Sequence, residues 1–464
     1  MTTEAQGTGS RLKSYPLLEA LISRRSRRFA KGMSLNGGPL AYESEKEPEP
    51  LSLEEEAALA FAGCGVTGPT LAELPYDSGG KKEAGSGNII INFLGRTVAS
   101  AEAVHAATLF VMGDGGAWML KRPTDYPRAE IPDLVRMARA GRFTELYEKA
   151  RIKISDRRPD LPRELPFVLP FNKWSANVPG TTYFLPVAEI SAFYINFMLT
   201  AFSEEFSTFV VDERNGFKPA GVARFARSKG GHLQDDPKAC RYITVGIVET
   251  WLYEFVAIEQ GGILQNLALM GEALGLGGFP HFAAHPFAWF EALGFRMQAI
   301  PFSRTVGAGL PTKTLIRALG KEFPVPTAVG FERSGEALIK PYCPPYYRDM
   351  EEAVMAFVDY KYSRGQGTLR DGGTSTSWKD GTGVQAGIPA FSDAAIAATI
   401  AYCDYVYNRY GRFPANSGPF RTVLAHQAHR LDEDFYERFY KPEVVPFAQE
   451  GYRWGGDQTR GGVE

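Results

Sequence analysis

Residues 253–275 read as one long helix that is apolar on nearly all its faces, closed by Gly275-Leu276-Gly277-Gly278. A helix without a polar face does not lie in water; it is buried in a core or against a second copy of the chain. The rest of the fold has to be built around it. With 464 residues, more than one hydrophobic core usually supports, a large core with additions or two domains is expected.

Two periodicities run through the remainder. Leu17, Leu18, Leu21 and Ile22 recur at helical spacing, predicting a helix over 15–29 that ends in arginines. Ser52 followed by Glu54, Glu55 and Glu56 predicts a capped helix running to about Ala62. Residues 88–93 and 108–112 are β-like, and the turn at 113–116 predicts that 117–120 return as a hairpin partner. Helical patterns follow over 131–150, 187–201, 349–360, 393–409 and 432–440, with strands over 208–212 and 327–332 and a Gly/Ser-rich break over 365–387. The class is α+β, with a sheet assembled from strands far apart in sequence.

Several chemistries lose their footing. A formal net charge of −2 gives no nucleic-acid surface and no polybasic membrane anchor. The longest apolar runs, such as 192–202, fall short of the ~20 residues a membrane helix needs. Cys64, Cys240, Cys343 and Cys403 stand singly, without zinc or disulfide spacing, and residues 1–10 are polar with no signal-peptide core. A reduced, cytoplasmic setting is expected. Gly63-Cys64-Gly65-Val66-Thr67-Gly68 fits GxGxxG, but a helix precedes it where a strand is required, and Pro69 follows. Gly307 to Thr314 lacks the P-loop glycine before Lys313. His281/His285 and His426/His429/Asp432 have metal-like spacing but no HExxH context, so no metal is expected. No GxSxG elbow occurs.

One constellation survives. In Arg24-Arg25-Ser26-Arg27-Arg28-Phe29, crowded arginines form either a solvated basic face or a clamp whose guanidinium forks and hydroxyl grip a phosphate. Here the sequence resembles the nitroreductase family, whose first helix ends in an R-x-S-x-R type motif. Arg96-Thr97-Val98-Ala99-Ser100-Ala101-Glu102-Ala103 is similar to the R-x-x-P-S-A-G-like segment of its thiazoline/oxazoline oxidase-like branch. It carries Ala99 and Glu102 where that pattern prefers proline and glycine. Glu259-Gln260-Gly261-Gly262 through Gln265-Asn266 to Gly277-Gly278-Phe279-Pro280 resembles the family's buried helix and its G-L-G turn, although an ordinary core helix with a glycine cap reads the same way. Lys340 and Arg348 stand where family members carry basic phosphate contacts.

The resemblance implies a nitroreductase-like fold, a central mainly antiparallel sheet flanked by helices. A flexible tail over 1–10 precedes an FMN-binding core over 11–125 and 240–360, with an insertion over 126–239 and a C-terminal extension over 361–464. It implies FMN held by Arg24, Arg25, Ser26, Arg28, Ser100, Gln265, Asn266, Gly277, Gly278, Phe279, Pro280, Lys340 and Arg348. It further implies a homodimer and hydride transfer through flavin N5 to or from a small molecule or modified peptide, with NAD(P)H as a candidate donor. No general acid or base emerges; His105 is a candidate that core packing explains equally well. The alternative is a non-catalytic or flavin-free scaffold on the same fold.

Overall fold

The computed structural model describes residues 12–74, 87–282, 286–363, 367–374, 376–422 and 424–442. The expected tail over 1–10 and His285 lie outside them. In chain order, α1 (Leu17–Ser23) and α2 (Leu53–Cys64) lead to the paired strands β1 (Val66–Pro69) and β2 (Leu94–Arg96). The hairpin β3 (Ala107–Gly113) and β4 (Gly116–Leu120) is followed by α3 (Ile131–Ala140), α4 (Phe143–Ala150) and β5 (Arg151–Ser155). Next come β6 (Thr181–Glu189), α5 (Ser191–Ala201), β7 (Phe209–Asp212), β8 (Tyr242–Thr244) and the long α6 (Val245–Ala273). After β9 (Gly277–His281) and α7 (Pro286–Leu293), the chain makes β10 (Arg296–Pro301), α8 (Leu310–Ala318), β11 (Pro324–Arg333) and β12 (Glu336–Ile339). It finishes with α9 (Met350–Tyr362), α10 (Asp393–Tyr410), β13 (Phe420–Arg421), β14 (Ala425–His429) and α11 (Glu433–Phe439).

The main sheet runs β9-β14-β6-β3-β4-β5, with β13 also on β6, and every pairing in it is antiparallel. Both of its faces are covered. Along β3, Leu109 and Val111 pack with Ile263 and Leu267 of α6, while Phe110 and Met112 pack with Trp289 and Leu293 of α7. This period of two, buried on both sides, explains why the strand reads as a continuous apolar run.

Four segments depart from the sequence reading. The helix expected over 15–29 stops at Ser23, because Arg24 turns to φ −53, ψ 121 and the arginines continue extended. Residues 131–150 form two helices, broken at Gly141, whose φ of 79 caps α3 in the left-handed region. The helix expected over 187–201 is a strand to Glu189 and a helix from Ser191; a buried strand and a buried helix share one apolar composition, so periodicity does not part them. Residues 88–93 are not a strand; Asn92 Oδ1 accepts from Leu94 N at 2.9 Å, and pairing starts at Leu94.

The segment 126–239, read as an insertion, supplies β6 to the middle of the sheet, and the segment after 361 supplies β14, which separates β6 from β9. The long helix begins earlier than its apolar run suggests, at a Thr244 cap whose hydroxyl accepts from Ile247 N at 3.2 Å. It is also not buried all round. Ile247, Trp251, Phe255 and Ile258 lie exposed along one side, Ile258 at 67%.

Candidate functional site

Extended chain after α1 brings the arginine motif to the edge of the sheet. Gly278 N donates to Arg27 C=O at 3.0 Å, so the segment pairs with β9 across some 250 residues of sequence. Extended backbone sends neighbouring side chains to opposite sides. Arg27 turns inward to Glu272 at the end of α6, a 2.8 Å ion pair with side chains only 5% and 4% exposed. Arg28 turns the other way.

There its Nη2 donates to Asn172 Oδ1 at 2.9 Å, and its guanidinium lies 4.7 Å from the Phe279 ring and 5.0 Å from the Trp174 ring. Burial pulls its pKa below the ordinary arginine range, its Nε is buried without a hydrogen-bond partner, and no carboxylate among the described residues pairs with it. Arg25 is exposed and donates to the carbonyls of Ile22 and Arg24 at 2.9 and 3.0 Å; Ser26 is exposed beside it.

A second group gathers on α6. Ser100 Oγ donates to Glu259 Oε2 at 2.6 Å, and the same buried carboxylate accepts from Ala106 N and Ala107 N at 3.2 and 2.8 Å. Two turns along the helix, Asn266 Nδ2 donates to Ala62 C=O and Thr97 C=O at 3.2 and 3.0 Å. Gly262 lets the loop approach: a β-carbon there would stand 2.5 Å from Val98 Cγ2, whereas Gly261 faces open space. Gln265 is exposed.

The loop between Ser100 and β3 is strained. Glu102, Ala103 and His105 hold φ of 54, 52 and 50, a region costly for side-chain-bearing residues. The glycine that the resembled pattern prefers at Glu102 thus corresponds here to a left-handed backbone. Glu102 is held by Asn196 Nδ2, which donates to its Oε2 at 2.6 Å, while Lys361 Nζ donates to Asn196 Oδ1 at 2.6 Å. Burial raises the Glu102 carboxyl to about 7 and lowers Lys361 to about 7, with mutual attraction opposing both shifts. His105 Nε2 lies 2.5 Å from Leu94 C=O, and burial keeps the ring neutral, its pKa lowered to about 4.

The glycines of β9 do something other than sequence suggested. Gly277 and Gly278 do not form an open turn but lie in strand, paired with His429 and Ala428 of β14. A β-carbon on Gly277 would stand 2.5 Å from Leu431 Cδ2 and 2.6 Å from His429 Nε2; one on Gly278 would stand 2.8 Å from both Gln427 O and His426 Nε2. Packing by β14 therefore accounts for both glycines. His426 and His429, three apart on a strand rather than a helix, leave by opposite faces. No group of three or more His, Cys, Asp or Glu side chains among the described residues is placed to hold a metal ion.

Arg28, Gly278 and Phe279 are therefore brought together, Ser100 and Asn266 share the α6 group, and Pro280 is exposed on β9. Lys340 lies 4.1 Å from the Tyr347 ring, and exposed Arg348 pairs with Asp349 at 2.8 Å. Neither has a contact with Arg28 or β9 among the described residues. Sequence reasoning missed Asn172, Trp174 and Glu272, and quoted Glu259 in its motif without giving it a role. The two glutamates carried a signal, acids inside a largely apolar helix; Asn172 ends a short 3-10 turn with Trp174 just beyond it, and neither carried one.

No protein-family model matches the chain, and no curated protein matches it in sequence. Among solved structures, one from Ralstonia eutropha JMP134, provisionally described as a nitroreductase, is similar over 63% of this chain and 80% of its own. The identity is 14% and the TM-score 0.29. A likeness that low assigns no chemistry, so function rests on the side chains themselves.

Proposed function

We propose that the chain is an FMN-dependent oxidoreductase of the nitroreductase type. The observation that carries this reading is Arg28: a half-buried guanidinium, stacked on Phe279 and Trp174, with an unsatisfied Nε and no carboxylate partner among the described residues. A half-buried cation with an unpaired nitrogen favours an anion beside it, and a phosphate, which accepts several charge-assisted hydrogen bonds, fits it. Arg24, Arg25 and Ser26 flank it and would share that phosphate. Ser100 and Asn266 belong to the α6 group, which shares no contact with Arg28 among the described residues, so this reading rests on the arginine segment and not on them.

When bound, FMN supplies the redox step, accepting and returning a hydride at N5, with NAD(P)H or the substrate itself as donor. The chain's own part is positional and electrostatic. Arg28 neutralises phosphate charge, Glu259 holds the Ser100 loop against α6, and the Glu102–Asn196–Lys361 cluster fixes the loop in its strained form. Substrate would be a small molecule or a modified peptide. A homodimer belongs to the same reading: the exposed stripe Ile247, Trp251, Phe255 and Ile258 offers α6 a partner face.

One observation favours a flavin-free scaffold on the same fold, namely that β9 is packed by His426, His429 and Leu431 where an open glycine cradle was expected. The visible spectrum of the purified protein separates the two. A flavin band, or its appearance on adding FMN, supports the oxidoreductase, and anaerobic bleaching by NADPH identifies the donor. Colourless protein that ignores FMN overturns it.

A further inference from the structure

Between β10 and β11 the chain makes an excursion that the arginine segment does not use. The two strands are antiparallel neighbours whose last pair is Pro301 with Pro324, and residues 302–323 leave the sheet there as an arm. Its stem is closed. Phe302 N donates to Phe323 C=O at 2.9 Å, the two rings stack with centroids 4.6 Å apart, and Ser303 N donates to Glu322 Oε1 at 2.9 Å. Held at its base, the arm carries α8 outward. None of that helix's nine residues is buried, and Leu310, Leu315, Leu319 and Phe323 are between 51% and 82% exposed. Large apolar side chains crowded on one exposed arm mark a surface that something covers.

The charge on the arm says what. Arg304, Lys313, Arg317 and Lys321 stand against Glu322 alone, a net of +3 in a chain whose net is −2. Glu322 is committed to the stem and to Arg317, 3.7 Å away. Lys313 and Lys321 have no carboxylate within ion-pair distance among the described residues. Along α8, Lys313 and Arg317 lie four apart on one face, and Leu315 and the C-cap Leu319 lie four apart on the opposite one. A second copy of the chain is a poor occupant, since two such arms would set cation against cation. A folded partner needs about 800 Å² on each side, more than a two-and-a-half-turn helix about 14 Å long offers. A negatively charged lipid surface needs neither. Leucine side chains enter its acyl boundary while lysine and arginine reach its headgroups, and a cluster of four cations on an amphipathic segment is what such a surface attracts.

We propose that the arm 302–323 docks the protein peripherally on an anionic membrane surface, with Leu315 and Leu319 in the acyl boundary and Lys313, Arg317 and Lys321 on the headgroups. The contact lies on the bilayer surface; no helix among the described residues is long and apolar enough to cross one. The arm's role stands whether or not the chain holds a flavin. Co-sedimentation of the full chain with vesicles tests it, comparing phosphatidylglycerol mixed into phosphatidylcholine with phosphatidylcholine alone. The chain is expected to bind the anionic vesicles about tenfold or more better than the neutral ones, and to be released by raised salt. Lys313→Gln with Lys321→Gln should weaken that binding by about tenfold or more, at roughly fivefold per cation. Leu315→Ser with Leu319→Ser should weaken binding as well. None of these four residues is buried, so an unchanged melting temperature is expected of both variants. Anionic vesicles bound no better than neutral ones, or binding that survives either double substitution, overturns the proposal. So does light scattering in which the parent self-associates, Leu315→Ser with Leu319→Ser abolishes that association, and vesicles are ignored; the arm then meets a second copy.

Discussion

Arg27 and Arg28 are adjacent and do opposite work. Arg27 closes a buried ion pair with Glu272, 245 residues away, while Arg28 keeps an unsatisfied nitrogen. Sequence identified the cluster but not which arginine was spent on structure, because that choice depends on a partner hundreds of residues off. Arg28→Ala should therefore cost about 1.5–3 kcal/mol of FMN affinity with little loss of fold stability, measured by FMN titration of the apoprotein. Unchanged retention in the Arg24/Arg28 double variant would contradict the assignment. Arg27→Ala should instead destabilise the fold, by about 3–5 kcal/mol, as an uncompensated buried Glu272 does. Glu102 carries a pH signature. Its folded pKa, about 7, lies above the ordinary 4.5, so the fold prefers the protonated form and loses stability as pH rises from about 4.5 to about 7. Glu102→Gln escapes that loss, and its advantage over the parent should open across this window to at most roughly 3 kcal/mol. Urea melts at the two ends of the window measure it, and a constant gap would refute it. That Glu102 occupies a glycine-type position was legible only as a departure from a pattern; the φ of 54 gives the reason.

Elements with strong local signals formed where sequence placed them. The box at Ser52 is complete, Glu55 N donating to Ser52 Oγ at 3.3 Å and Ser52 N to Glu55 Oε2 at 2.7 Å. Ser52→Ala should lower stability by about 1 kcal/mol, read as a drop in melting temperature. The β3–β4 hairpin and β7 were equally legible from alternation and turn residues. What escaped was the boundary inside continuous apolar sequence, as at Glu189, where β6 hands over to α5, and the meaning of Gly277 and Gly278. Those glycines suggested a turn open to a ring, but β9 buries them against residues near the end of the chain, a long-range fact that no local pattern carries. Gly277→Val should accordingly cost about 1–3 kcal/mol or more through overpacking against Leu431 and His429. Melts with and without FMN distinguish this from loss of flavin alone, which would leave the apoprotein's transition in place.

At the scale of the molecule, the antiparallel α+β class was legible and the division into core, insertion and extension was less so, since β6 and β14 come from the two segments set apart. The apolar character of α6 was read correctly, but not its one-sided exposure, which depends on what α5 and α2 cover. If two copies meet on that side, the interface should exceed about 2,000 Å², and Phe255→Glu with Ile258→Glu should leave single chains. Light scattering checks this: twice 51.1 kDa for the parent and a single chain mass for the variant, whereas a monomeric parent would remove the dimer. The position of β14 has a consequence for how the protein comes into being. Among the described residues, strand β9, which carries Phe279 and receives the arginine segment, joins the rest of the main sheet through β14, close to residue 429. On a ribosome, the arginine segment and β9 are translated well before β14, the strand that joins β9 to the rest of the sheet. β9 therefore gains its neighbour on that side only once Ala425–His429 has left the exit tunnel, and a nascent chain halted before Ala425 still lacks that pairing.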